Sequence, residues 1–283
     1  MASDSKRPAV LVTGAGGGIG AATVRALADK GFRVYAASRN GEVAASADVH
    51  PLAFDVTDRG AIEAAAEQVL ARGDHALAGV VNNAGLIVQG PLELVPEAEL
   101  RRQFDVNVIG TTLVTQTFLP FLRAGKGTLV NLTAGTARAA GPFYAPISAS
   151  KAAVQSLSDA LRLELAHFGV SVVVIEPGAM DTTIFTKAAA AAEKAGASAP
   201  KELVSLYKAP QDAVAASMAK LKPSSPTLVA DAIVKALSAK KPKARYTVGP
   251  DLRLLGLLSR LPLRTRDRLV AGVTGLAKVP AVH

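Results

Sequence analysis

Cysteine and tryptophan are absent from this 283-residue chain. Without cysteine there are no disulfides, no thiolate zinc sites and no cysteine nucleophile. The four histidines, His50, His75, His167 and His283, lack ligand spacing, so no metal site is expected. Aromatic residues make up only 4%, too few to build stacking platforms for single-stranded nucleic acid. No uninterrupted apolar run is long enough to cross a bilayer, and no apolar stretch near the start resembles a secretory leader. The expectation is a soluble, cytoplasmic protein that binds no nucleic acid. Core material, by contrast, is plentiful. Hydrophobic residues are 49%, charged residues 19%, and the mean hydropathy is +0.28. That excludes a disordered chain and fits one large domain, residues 1–283.

The formal net charge is +9, and its placement matters more than its size. Residues 240–283 hold ten Lys and Arg against two Asp. This basic C-terminal extension, about 250–283, is expected to be a solvated tail that helps bind an anionic cofactor or a neighbouring subunit. Contact with an anionic membrane surface is the weaker alternative.

Short β-branched runs at 9–13, 33–38, 52–55, 79–82, 128–132 and 170–175 alternate with helical patterns at 18–30, 58–72, 96–123 and 147–167. Asp58 suits a helix N-cap, and Gly31 and Gly169 stand where helix C-caps belong. Strands at helix-length intervals with continuous apolar character predict a doubly wound α/β architecture: a parallel sheet covered on both faces. About 182–226 the pattern becomes Ala/Lys-rich with four prolines and no strand, which reads as an inserted helical lid. A helix at 227–239 and a short strand at 244–248 follow.

The first strand runs directly into Thr13, Gly14, Gly16, Gly18, Ile19 and Gly20, and then into a helix. Glycines there permit a tight turn and close backbone approach to a pyrophosphate, which the helix N-terminus attracts. This strand–turn–helix context predicts a dinucleotide site. The second strand ends at Ser38-Arg39, where a carboxylate would favour NAD(H). An arginine suits the 2′-phosphate instead, so NADP(H) is preferred over NAD(H).

With these motifs in order, the chain resembles the short-chain dehydrogenases/reductases along nearly its whole length, which implies a Rossmann fold. The family's TGxxxGxG loop matches Thr13 to Gly20, and its NNAG motif matches Asn82, Asn83, Ala84 and Gly85. The acidic residue beside the adenine matches Asp55, followed by Val56, and the helical catalytic asparagine matches Asn107. The PGxxxT motif at the nicotinamide end matches Pro177, Gly178 and Thr182. The resemblance also implies a homodimer or homotetramer, and a small-molecule substrate that the lid suggests is apolar.

In that family a Ser polarises the substrate carbonyl, and a Tyr four residues before a Lys donates the proton. Lys151 is in place here, where the resemblance implies that it holds the cofactor ribose. The Tyr position, however, is Ile147 and the Ser position is Ala134. Losing a general acid costs about 10²–10⁴-fold, and losing an oxyanion donor about 10²–10³-fold. Substitute proton donors in the sequence are Tyr144 and Ser148, the latter on the Lys151 helix, and Thr133 or Thr136 beside the missing Ser is a candidate oxyanion contact.

Three readings follow. The first is a reductase of an activated C=N or C=C bond: an iminium nitrogen already carries its charge, and hydride addition to an enone β-carbon leaves the proton to be added elsewhere. The second is a non-redox enzyme, such as a cyclase or isomerase, on the same scaffold. The third is a catalytically silent NADP-binding partner or sensor. Ile where Phe would be the conservative replacement for Tyr argues against a deliberately inactivated variant.

Overall fold

The computed structural model describes residues 7–280 except residue 198. The start of the chain, and His283 at the end of the basic extension, lie outside the described residues.

Seven strands form one parallel sheet: β1 (Ala9–Thr13), β2 (Arg33–Ser38), β3 (Val49–Ala53), β4 (Gly79–Asn82), β5 (Thr128–Leu132), β6 (Ser171–Pro177) and β7 (Arg245–Val248). Their order is β3-β2-β1-β4-β5-β6-β7. The strand order reverses between β1 and β4, and a crevice opens there beyond the carboxyl ends.

Strand residues point alternately to the two faces, and both faces are apolar. Ala9 and Leu11 of β1 join one core, and Val10 and Val12 join the other. The first core is covered by α2 (Arg59–Ala71), α4 (Thr111–Gly125) and α5 (Ala145–Ala166) through Ile62, Phe118 and Leu165. The second is covered by α1 (Gly18–Asp29) and α8 (Thr227–Ser238) through Leu27 and Ile233. Asp58 caps α2, its Oδ1 accepting from the Ala61 amide at 3.0 Å. Gly31 and Gly169, just beyond α1 and α5, adopt φ of 83° and 73°, conformations that a Cβ disfavours.

Three expectations need correction. The third strand is Val49–Ala53, not 52–55. Pro51 is tolerated because β3 is an edge strand, and the Asp55 carboxylate turns the chain away by accepting from the Thr57 amide and hydroxyl. The helical stretch 96–123 is not one uniform helix. Between α3 (Glu97–Phe104) and α4 lies a π-helical turn, Asp105–Gly110, where the Thr111 hydroxyl takes the Asn107 carbonyl at 2.8 Å. Gly110 admits this bulge beside Val56, since a Cβ there would come within 2.7 Å of the valine methyl. Finally, the basic extension is a solvated tail only in part. It forms α9 (Asp251–Leu258), which is packed with Leu252 and Leu258 buried, and α10 (Leu263–Val273), which is solvent-facing. Burial of these leucines seats α9 against the fold.

The segment 182–226 carries α6 (Ile184–Ala197) and α7 (Lys201–Met218). It is tethered at both ends. Ser224 pairs with Ala179 and Asp181 through backbone hydrogen bonds of 2.8 and 2.9 Å, and the Tyr207 hydroxyl donates to Glu93 at 2.7 Å. Among the described residues no helix is long and apolar enough to cross a membrane, and no cluster of metal-ligating side chains occurs.

Candidate active site

A cavity of about 1300 Å³ opens along the carboxyl ends of the strands. It brings together Thr13, Gly14, Gly16, Gly18, Ile19, Ser38, Arg39, Asp55, Val56, Asn83, Ala84, Gly85, Ala134, Ile147, Lys151, Pro177, Gly178 and Thr182 as wall residues. Gly20 lies just behind, in α1. Asn107 is fully buried behind the wall, and Tyr144 stands before α5 without lining the cavity.

The glycine loop is pinned to the end of β4. Thr13 Oγ1 accepts from the amides of Asn83 (3.1 Å) and Ala84 (3.0 Å), while Asn83 Nδ2 donates to the carbonyls of Thr13 (2.9 Å) and Gly14 (3.1 Å). Gly14 and Gly18 take φ of 66° and 54°, and a Cβ on Gly20 would collide with the Gly14 carbonyl. The loop therefore depends on glycine for its shape, and its backbone is exposed to an incoming phosphate at the start of α1. Thr182 reaches this loop from the far end of the chain, 3.1 Å from where a Gly18 Cβ would stand.

At the end of β2, Ser38 Oγ is buried with no hydrogen-bond partner among the described residues, and exposed Arg39 lines the cavity beside it. An unpartnered hydroxyl next to a free-standing guanidinium fits an anionic oxygen group. Asp55 and Val56 flank the same end. Asn82 works below the site. Its Nδ2 donates to Thr115 Oγ1 (3.0 Å) and Asn131 Oδ1 (2.9 Å), joining β4, β5 and α4 within the core.

At the opposite end, Asn107 sits on the π turn and clamps the loop after β4. Its Oδ1 accepts from the Leu86 amide (2.9 Å), and its Nδ2 donates to the Leu86 carbonyl (3.0 Å) and Ser150 Oγ (3.3 Å). Gln103, one turn earlier and fully buried, repeats the clamp. Its Oε1 accepts from the Val88 amide (2.6 Å), and its Nε2 donates to the Leu86 carbonyl (3.0 Å). Gln103 was missed in the sequence, although its i, i+4 spacing from Asn107 puts the two on one face.

Ile147 and Ala134 present no hydroxyl to the cavity. One turn beyond Ile147, half-buried Lys151 donates from Nζ to the Leu132 carbonyl at 2.8 Å. Loss of hydration lowers its pKa to about 8. The four candidate substitute hydroxyls lie in different settings. Thr133 lines the cavity, and its Oγ1 donates to the Ile175 carbonyl at 3.3 Å. Ser148 and Thr136 have buried hydroxyls without hydrogen-bond partners among the described residues, but neither lines the cavity. Burial pushes the Tyr144 phenol pKa up. Much of the remaining wall is apolar, with Met180 after β6 and Ile184, Phe185 and Ala188 of α6, while Arg102, Asp105 and Lys187 add charged groups.

Comparison with known proteins agrees with this geometry. A family model for short chain dehydrogenases matches residues 8–193. The NADPH-dependent 3-dehydrocapnine reductase of Ornithobacterium rhinotracheale is 34% identical over 278 residues, covering 92% of this chain and 94% of that protein. The 3-amino-tetrahydro-pyrrolizinone reductase of Xenorhabdus hominickii is 43% identical over 184 residues, 64% of each chain. A short chain dehydrogenase from Burkholderia cenocepacia J2315, solved in complex with NADP, superposes with a TM-score of 0.74 at 26% identity, covering 93% of this chain and 97% of that one. On the family match and these relatives, the chain belongs to the short-chain dehydrogenase/reductase family of oxidoreductases.

Proposed function

We propose that the protein is an NADPH-dependent reductase acting on an activated C=N or C=C bond of a small, apolar substrate, in preference to a ketone. The observation that carries the reading is the wall formed by Ile147 and Ala134, which offers the substrate neither a proton nor an oxyanion contact. The names of the two reductase relatives, one of them NADPH-dependent, support reduction as the reaction class.

The bound cofactor would supply the hydride. The chain's own residues would hold and orient it. Ser38 and Arg39 would take the 2′-phosphate, the Gly14–Gly20 backbone with Thr182 the diphosphate, and Asp55 and Val56 the adenine. Lys151 would hold the nicotinamide ribose, and Pro177 and Gly178 would border the ring. Asn107 positions the Leu86 loop. Ile147, Met180, Ile184 and Phe185 would enclose an apolar substrate and exclude water. A cytoplasmic homodimer or homotetramer is the expected assembly, and Leu163, 80% exposed on α5, suits a subunit contact.

The test is transfer of deuterium from C4-labelled NADPH to a cyclic iminium, an enone and a ketone, read by mass spectrometry. Label on the iminium carbon or the enone β-carbon, with the ketone untouched, is the expected result. Label on the ketone carbon overturns the preference. No label on any substrate, with NADPH bound, favours a non-redox enzyme or a silent binding partner.

A further inference from the structure

The basic extension begins with a helix that grips both loops at the Ala134 and Gly178 end of the cavity. Asp251 opens α9, yet its carboxylate does not cap its own helix. Instead Oδ2 accepts from the Ala179 amide at 3.0 Å. The carboxylate lies flat against Gly178, where a Cβ would collide with it, and within 2.5 Å of where a Gly249 Cβ would stand. Gly249 holds φ of 124°, a conformation that favours glycine, and a Cβ on Gly178 would displace the carboxylate. The Gly178 amide is itself held by the Val248 carbonyl at 2.8 Å.

The same helix closes over the other loop. Leu252 and Leu255 fill the space that a side chain on Gly135, next to Ala134, would need. The Arg138 guanidinium packs 3.7 Å from the Cβ position of Gly256 and pairs with the fully buried Glu176 at 3.0 Å. The second oxygen of Glu176 faces Arg245 on β7 at 3.2 Å. Glu176 immediately precedes Pro177, so this ion-pair network anchors the root of the loop that Asp251 holds at its tip.

We infer that Asp251 is a positioning residue: its carboxylate fixes the Gly178–Ala179 backbone in the conformation that receives the nicotinamide half of the dinucleotide. The inference rests on reading the cavity as an NADP(H) site. A backbone held in place before binding loses less freedom on binding, and that advantage belongs to ligands that reach this loop. It does not extend to 2′,5′-ADP, which lacks the nicotinamide half and reaches no farther than the glycine loop.

Calorimetric titration of the full chain with NADPH and with 2′,5′-ADP tests this. Asp251→Ala should weaken NADPH binding by roughly tenfold or more, the loss typical of a charge-assisted hydrogen bond, and leave 2′,5′-ADP binding within about twofold. Asp251→Asn, which keeps an acceptor oxygen, should recover most of the NADPH affinity. Equal losses for both ligands, or no loss for either, would overturn the assignment. If the alanine variant does not fold, amide exchange of Ala179 in the wild-type protein decides: protection that NADPH deepens and 2′,5′-ADP does not is expected, and an unprotected Ala179 amide overturns it. A wild-type chain that binds neither ligand overturns the nucleotide reading itself, and the inference with it.

Discussion

Gln103 on α3 and Ser150 on α5 are joined inside the protein by a 3.0 Å hydrogen bond, the Gln103 Nε2 donating to the Ser150 hydroxyl. The Ser150 hydroxyl in turn donates to the Ile147 carbonyl at 2.9 Å, which ties the Ile147 wall of the cavity to the clamp on the loop after β4.

That bond predicts the behaviour of Gln103→Leu. Leucine fills similar space but leaves the Val88 amide and the Leu86 carbonyl with fewer partners. Each buried group left unsatisfied costs about 1–3 kcal/mol. Urea denaturation should show a loss of about 2 kcal/mol, and a variant as stable as wild type would contradict the clamp.

Restoring the missing pair should restore the missing chemistry. Ile147 and Ala134 already line the cavity, and Ile147 stands one turn from Lys151, so a tyrosine there would project over the proposed reaction site. Ala134→Ser with Ile147→Tyr should raise NADPH-dependent ketone reduction by about 10²-fold or more over the parent chain. Each single change should do less, because the two hydroxyls act as a unit. Failure of the double variant with every ketone tried, while NADPH still binds, would count against the proposed orientation of the site.

Lys151 makes stability depend on pH in a particular direction. Its pKa falls to about 8 in the folded protein, against 10.5 for the free side chain. Between these values the unfolded chain holds more protons than the folded one, so stability should rise with pH across that window. Below about pH 8 both forms are protonated and the slope vanishes. Lys151→Met should abolish this contribution. The readout is the difference in unfolding free energy between the cofactor-free wild type and the variant from pH 7 to 10.5, and a flat difference would show that Lys151 titrates normally.

Arg39 should govern cofactor choice. It lines the cavity beside the unpartnered Ser38 hydroxyl, with no carboxylate at the end of β2. Arg39→Ala should weaken NADPH binding by about tenfold, the scale of one charge-assisted contact, while NADH binding stays nearly constant. Equal changes for both cofactors in titration would remove the 2′-phosphate role from Arg39.

Much of this site is legible in consecutive residues. Gly14 and Gly18 announce left-handed turns, Asp58 announces a helix start, and apolar runs at helix-length intervals announce a parallel sheet, because each requirement is local to its own backbone. The empty Tyr and Ser positions are visible too, since Lys151 provides the spacing from which Ile147 is counted. The third strand differs from 52–55 because Leu52 and Phe54 look like strand residues. Only the edge position, which excuses Pro51, and the Asp55–Thr57 turn fix its true limits.

The sequence by itself determined the doubly wound architecture and the glycine loop between β1 and α1, and it places Ile147 and Ala134 where the family resemblance expects hydroxyls. Only the tertiary structure decided that Gln103 would guard the Leu86 loop, that Tyr144 would stand off the cavity wall, and that a basic extension would become a wall support through Asp251. The physical reason is the same in each case. A polar side chain's partner is set by which loops the sheet order brings together, and neither the Ala179 amide nor the Leu86 carbonyl lies near its partner in the chain.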